Sequence, residues 1–152
     1  VAQGCVYLNN FFKIIIVFMK KIISFSLWGD GFKYLYGAVD NIKIQKELFP
    51  DWTCRFYVHT SVPTHICDKI KEEGCEIILK TENPVVKHMD MPGMFWRFEV
   101  LKDKDVESFI VRDTDGRLTQ REKNCILDWE KSGKEFHIIR DHHQHNTKIM
   151  GG

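Results

Sequence analysis

From Ile22 onward, short β-forming runs alternate with helical apolar periodicity, and this alternation constrains the fold more than any other feature of the chain. Ile22 to Leu27 reads as a buried strand, ended by Trp28-Gly29-Asp30-Gly31. Phe32, Leu35, Tyr36, Val39 and Ile42 then recur at helical spacing until Phe49-Pro50 stops the helix. Thr53 to His59 is a second strand, with Cys54, Phe56 and Val58 on one face and Arg55, Tyr57 and His59 on the other. Pro63 suits a first helical turn, Gly74 caps the helix that follows, and Glu76 to Leu79 reads as a third strand. Thr81 to Gly93, broken by Pro84 and Pro92, reads as a long irregular loop, a class that often carries function. A short helix around Phe95 to Leu101 leads to a strand from Ser108 to Arg112. Thr119-x-x-Glu122 is a capping box that opens a helix to about Lys131, closed by Gly133, and Phe136 to Arg140 reads as a last strand. The expected class is an α/β sandwich with a mostly parallel sheet.

Composition narrows the partners. The chain has 152 residues, one domain's worth, and 22 Lys and Arg against 21 Asp and Glu. A net charge of +1 supplies no bulk attraction for a nucleic acid polymer or an anionic membrane, so ligands must be held by local groups. The five cysteines form no Cys-x-x-Cys pair and are odd in number, which points to a reducing, cytoplasmic setting. Phe11 to Met19 is apolar at eight of nine positions, yet Lys13, Lys20 and Lys21 interrupt it well short of the ~20 residues a spanning helix needs. No transmembrane segment is expected. Residues 1–18 read as an N-terminal extension without chemistry, upstream of the natural start or forming an extra element, and residues 19–152 as the functional unit.

The strongest chemical signal is Arg112-Asp113-Thr114-Asp115, an acidic pair at the C-terminal end of a strand, where open α/β sheets bind ligands. In extended backbone Asp113 and Asp115 point the same way and converge on one hard divalent cation, which leaves open positions for substrate phosphates. Arg112 and Arg117 flank the pair and are placed to balance further phosphate charge. Asp-x-Asp alone is also common in solvated turns. Asp113-Thr114-Asp115-Gly116-x-Leu118 further resembles the first motif of haloacid-dehalogenase-type phosphatases, whose first Asp is a nucleophile; that reading makes Asp113 the nucleophile of a phosphohydrolase. Against it, Arg117 replaces the usual threonine, at least three strands precede the motif instead of none, and 34 residues follow Leu118, too few for the later motifs. His137, His142, His143 and His145 form a second candidate, a transition-metal site, without the paired spacing of a zinc finger or of His-Glu-x-x-His.

Ordered pieces from Met19 to Gly152 carry a wider likeness. They include Ile23-Ser24-Phe25-Ser26-Leu27-Trp28-Gly29, Tyr34-x-x-Gly37-Ala38-x-x-Asn41, Phe49-Pro50-Asp51-Trp52 and Arg55-Phe56-Tyr57-Val58. Val62-Pro63, Met94-Phe95-Trp96-Arg97-Phe98, Arg112-Asp113-Thr114-Asp115-x-Arg117-Leu118, Arg121-Glu122, His137-Ile138-Ile139-Arg140-Asp141-His142 and Ile149-Met150-Gly151-Gly152 continue it. In this order they resemble the nucleotide-binding half of GT-A fold glycosyltransferases, nucleotide-diphospho-sugar transferases with an Asp-x-Asp motif, and within them a bacterial and viral group.

The resemblance implies a Rossmann-like α/β/α sandwich, truncated at the C-terminus, that transfers a sugar from a nucleotide-diphosphate donor to a glycan, lipid or protein acceptor. By the same resemblance Ser26, Leu27 and Trp28 border the base and ribose, and Arg97 and Arg112 approach the diphosphate. Asp115 ligates Mn²⁺ or Mg²⁺, Asp113 contacts the ribose or shares the metal, and Thr114 between them points into the sheet. In an inverting enzyme Asp141 is the candidate base for the acceptor, with sugar binding as its alternative role; the later metal ligand typical of the fold has no matching position in a motif here, His145 being the one candidate. A non-catalytic nucleotide-sugar-binding remnant is the remaining alternative.

Overall fold

The computed structural model describes residues 19–85 and 92–139. Its elements are β1 (Lys20–Leu27), α1 (Phe32–Leu48), β2 (Thr53–His59), α2 (Thr64–Glu72), β3 (Glu76–Lys80), a 3₁₀ helix (Pro92–Lys102), β4 (Val106–Arg112) and α3 (Gln120–Ser132). The four strands form one sheet in the order β3-β2-β1-β4, every neighbouring pair parallel. The expected α/β class is therefore present, as a Rossmann-like α/β/α arrangement with an entirely parallel sheet. The chain winds outward from β1 through β2 to β3 and then returns to lay β4 against the other side of β1. This reversal creates a switch point between β1 and β4, the place where open sheets of this kind hold ligands.

Side-chain alternation assigns the two faces. Ile23, Phe25 and Leu27 of β1 and Cys54, Phe56 and Val58 of β2 join one apolar cluster with Leu35, Ala38 and Ile42 of α1, Ile66 and Ile70 of α2, and Ile126 of α3. Phe25 and Phe56, opposite one another in the register, stack with ring centroids 4.9 Å apart. The other face is more polar. Ser24 and Ser26 point there and meet the 3₁₀ helix: the Ser24 hydroxyl donates to the Arg97 carbonyl (2.6 Å), and the Arg97 N–H donates to Ser26 Oγ (3.0 Å). The segment expected as an ordinary helix near Phe95 is 3₁₀ from Pro92, and the tighter winding presents Gly93, Trp96, Arg97 and Val100 to the protein interior.

Two buried amides on α1 fix the chain around it. Gln45 donates to the carbonyls of Phe49 (3.0 Å) and Trp52 (2.6 Å), which shapes the turn into β2. Asn41, fully buried, donates to the carbonyls of Thr114 (3.2 Å) and Gly116 (2.9 Å) and accepts from the Leu118 N–H (2.9 Å). Gly37, one turn earlier, is required by close approach, since a Cβ there would lie 2.0 Å from the Thr114 carbonyl oxygen.

At the chain's far end, Thr119 caps α3 by accepting from the Glu122 N–H (3.2 Å), and Gly133 closes the helix in the left-handed conformation at φ 64°. The strand expected at Phe136 to Arg140 does not form over residues 136–139. Phe136 and Ile138 stay exposed and pair with no neighbouring strand, so nothing there repays an extended ladder. Arg140 lies outside the described residues.

Asn41→Ala removes three buried hydrogen bonds and is expected to cost about 3 kcal/mol, at roughly 1 kcal/mol each. Gly37→Ala is expected to cost about 2 kcal/mol or more through overpacking against main chain. Urea unfolding midpoints check both, and wild-type stability in either variant would show that α1 does not hold the 114–118 segment this way.

Candidate functional site

The C-terminal ends of β1 and β4 lie side by side, because Phe25 pairs with Arg112 in the register. Paired residues of parallel strands face the same way, so Arg112 points to the helical face. There its guanidinium meets Glu122 of α3 (2.9 Å), which in turn accepts from the Thr119 hydroxyl (3.1 Å). The next residue, Asp113, points to the opposite face and forms an ion pair with Arg97 Nη1. Arg97 is 3% exposed, its main chain tied to β1 by the two serines, and the same nitrogen also donates to the Arg112 carbonyl (3.3 Å). Asp113 is thus aimed by a buried cation whose own position is referenced to the central strand.

β4 ends at Arg112, and a turn follows through Thr114 to Gly116. The extended backbone expected at Asp113 and Asp115 is not found there, and each carboxylate has its own basic partner. Asp115 turns toward α1, where Lys33 Nζ lies 2.5 Å from Oδ2. The Lys33 ammonium holds the Asp115 carboxyl below its ordinary range, chiefly by hydrogen bonding and also by charge, against a smaller opposing effect of burial. Thr114 is buried, as expected of the residue between the two acids, and its carbonyl is the group that Asn41 holds. Arg117 pairs with Asp40 (3.0 Å) and donates to the Asp115 carbonyl (3.2 Å). Both flanking arginines thus sit on protein carboxylates and do not stand free for phosphate.

The other lip is aromatic. Trp28, half-buried, meets Trp96 edge-on at 6.2 Å, and the His59 ring lies nearly parallel to Trp96 at 6.1 Å. Gly93 lets the 3₁₀ helix close on this wall, since a Cβ there would stand 3.1 Å from the Trp28 ring. Gly29, at φ 73°, turns the chain after β1, and its N–H donates to Ser61 Oγ (2.8 Å), which also hydrogen-bonds His59 Nδ1 (2.8 Å). Of the residues expected to border a base, Trp28 is placed to do so. The Ser26 hydroxyl accepts from the Arg97 N–H, and Leu27 is 1% exposed with its side chain in the apolar core.

Asp141, His142, His143 and His145 lie outside the described residues, and His137 is exposed. Among the described residues no group of three or more His, Cys, Asp or Glu could hold a metal by itself, and no helix is long and apolar enough to cross a membrane. A broad hollow lined by Lys21, Glu107, Trp129 and Lys134 lies at the opposite end of β1 and β4, away from the acidic pair. Sequence reading did not reach Lys33, Ser24, His59 or Ser61 as parts of the site. Lys33 was the most accessible of these, as a cation in the first turn of the helix that follows β1. No protein-family model matches the chain, and no curated protein matches it.

Lys33→Ala is expected to raise the Asp115 carboxyl pKa toward the ordinary aspartate value near ~3.9, read by carboxyl-carbon NMR titration. An unchanged Asp115 titration would mean that the pair is not formed in solution.

Proposed function

We propose that the chain is the donor-binding part of a metal-dependent glycosyltransferase, moving a sugar from a nucleotide-diphosphate donor to an acceptor hydroxyl on a glycan, lipid or protein. The observation that carries this reading is the position of Asp113 and Asp115 at the C-terminal end of β4, beside the end of β1 at the reversal of strand order. The donor set suits Mn²⁺ or Mg²⁺, which take one or two carboxylates and complete their shell with substrate phosphates and water. Asp115 is the better ligand of the two, because its partner Lys33 is largely exposed and such surface pairs are weak. Asp113 stays on Arg97 and is suited to accept from a ribose hydroxyl at the edge of the same site.

The bound cation supplies neutralisation of the charge that grows on the leaving diphosphate. The chain's own groups do the positioning. Trp28, half-buried and backed edge-on by the buried Trp96, offers ring surface at the β1 end for a base. The N-terminal turn of α1, with no acidic residue and with Lys33 released, favours negative charge beside Asp115. In the transfer the bond from the anomeric carbon to the diphosphate oxygen breaks, a bond to the acceptor oxygen forms, and the acceptor proton passes to a base, the role proposed for Asp141. The Arg97 pairing argues against Asp113 as a phosphohydrolase nucleophile, because a buried guanidinium withdraws charge from the oxygen that would attack.

UDP or GDP at a hundredfold excess over Kd should raise Tm by roughly 5 °C when Mn²⁺ or Mg²⁺ is present and not with chelator, and Asp115→Ala should abolish the shift. Metal-independent phosphatase activity lost in Asp113→Asn would replace this reading with the hydrolase one. Metal-dependent binding with neither sugar transfer nor donor hydrolysis would favour a binding remnant.

A further inference from the structure

Away from the crevice, Cys54 of β2 and Cys75, the residue just before β3, both pack with the apolar cluster beneath the helices. Arg55 of β2 pairs in register with Glu76 of β3, and the two side chains form an ion pair at 2.7 Å on the face that carries Ser24 and Ser26. Alternation therefore turns the residues just before them, Cys54 and Cys75, to the helical face together. Both thiols are free, both side chains pack with the same apolar cluster and lie close enough to perturb one another's ionisation, and Cys54 Sγ also lies 4.0 Å from Gln45 Oε1. Adjacent parallel strands run about 4.8 Å apart, inside the usual Cα separation for a disulfide. Cys54 is fully buried and Cys75 is partly buried at the rim of the same cluster, so Cys75 is the more accessible of the pair.

We propose that Cys54 and Cys75 form a peroxide-responsive dithiol, with Cys75 as the attacking sulfur and Cys54 as the resolving one. The Cys75 thiolate attacks hydrogen peroxide, the O–O bond breaks, hydroxide leaves and a sulfenic acid forms. The Cys54 sulfur then attacks that sulfur, the S–O bond breaks, water leaves with the Cys54 proton, and the S–S bond closes. In total two thiols and one peroxide give one disulfide and two waters; the sulfurs lose two electrons and the peroxide gains them. The division of roles has electrostatic support. The neighbouring Cys54 thiol holds the Cys75 thiol below its ordinary value, opposed by burial, with the Lys46 ammonium of α1 adding in the same direction. Cys54 is pushed up by its Cys75 neighbour and by burial. Glu73, which faces Cys75 from the end of α2, opposes this effect, but its carboxylate is engaged by Lys46 at 2.5 Å. Cys67, on α2, is pushed up by burial and is the internal control for a less reactive thiol. The bond would fasten edge strand β3 to β2 at the start of their ladder.

One equivalent of hydrogen peroxide, followed by tryptic digestion without reductant, should yield the peptide Glu47–Arg55 joined to Glu72–Lys80. The product should be two hydrogens lighter than the sum of its parts and should disappear with dithiothreitol. Cys54→Ser should stop the cross-link and leave Cys75 as a sulfenic acid trapped by dimedone, and Lys46→Gln should slow the reaction several-fold near neutral pH. Because the wild-type digest needs no variant, misfolding of a mutant leaves the test intact. Cys54 and Cys75 both left reduced while Cys67 or Cys125 is oxidised, or Cys75 joined to Cys67, overturns the assignment.

Discussion

The carboxamide of Asn41 is the contact on which the candidate site rests. A parallel edge strand leaves the loop after it with unpaired main-chain groups, and burying those groups without partners costs more than any single hydrogen bond returns. Asn41 meets two carbonyls and one N–H of the 114–118 segment with a carboxamide, which carries two donors and an acceptor on one rigid plane. Gly37 removes the side chain that would keep the helix away. The loop bearing Asp115 is therefore fixed to α1 through its main chain, while its carboxylate stays outside that contact and pairs with Lys33.

The two acids are consequently held in different ways. Asp113 faces a buried arginine whose main chain is bonded to the centre of the sheet, so displacing it would break a charge pair on a cation held inside the protein. Asp115 faces an exposed lysine that loses little by returning to water. A ligand approaching this lip meets one acid that orients and one that can exchange partners. The division arises from strand alternation at Arg112-Asp113 and from the turn immediately after it.

This contrast also explains how far sequence reading could go. Strand and helix periods depend on local apolar spacing, so β1 to β3, α1 and the Thr119 cap were all legible to within a few residues. The sheet order followed less directly, because β4 returns to β1 only through long-range pairing that no local period encodes. Asp113 and Asp115 were found as a pair, but their divergence was not, because a turn at Thr114 looks like extended chain until Asn41 and Gly37 are seen to bind it. Phe136 to Ile139 failed for the opposite reason: the β-forming residues are there and the partner strand is not. Arg97 was singled out by likeness alone; the reason for its burial, two serine hydroxyls on β1, is a tertiary fact.

The sheet's two faces are secured by different kinds of force, and this sets how freely each can change. Apolar burial on the helical face is non-directional, so a leucine there can become an isoleucine or a methionine with modest repacking. Opposite it, the Ser24 and Ser26 hydroxyls grip the N–H and C=O of one residue of the 3₁₀ helix, and such bonds hold only within a narrow range of distance and angle. That grip contributes little adhesion but fixes the aim of Arg97, so substitution latitude is lopsided. A lineage of this protein can drift across its helical side while its serine side stays in register, and a redesign that greased the serine side for stability would surrender alignment in exchange.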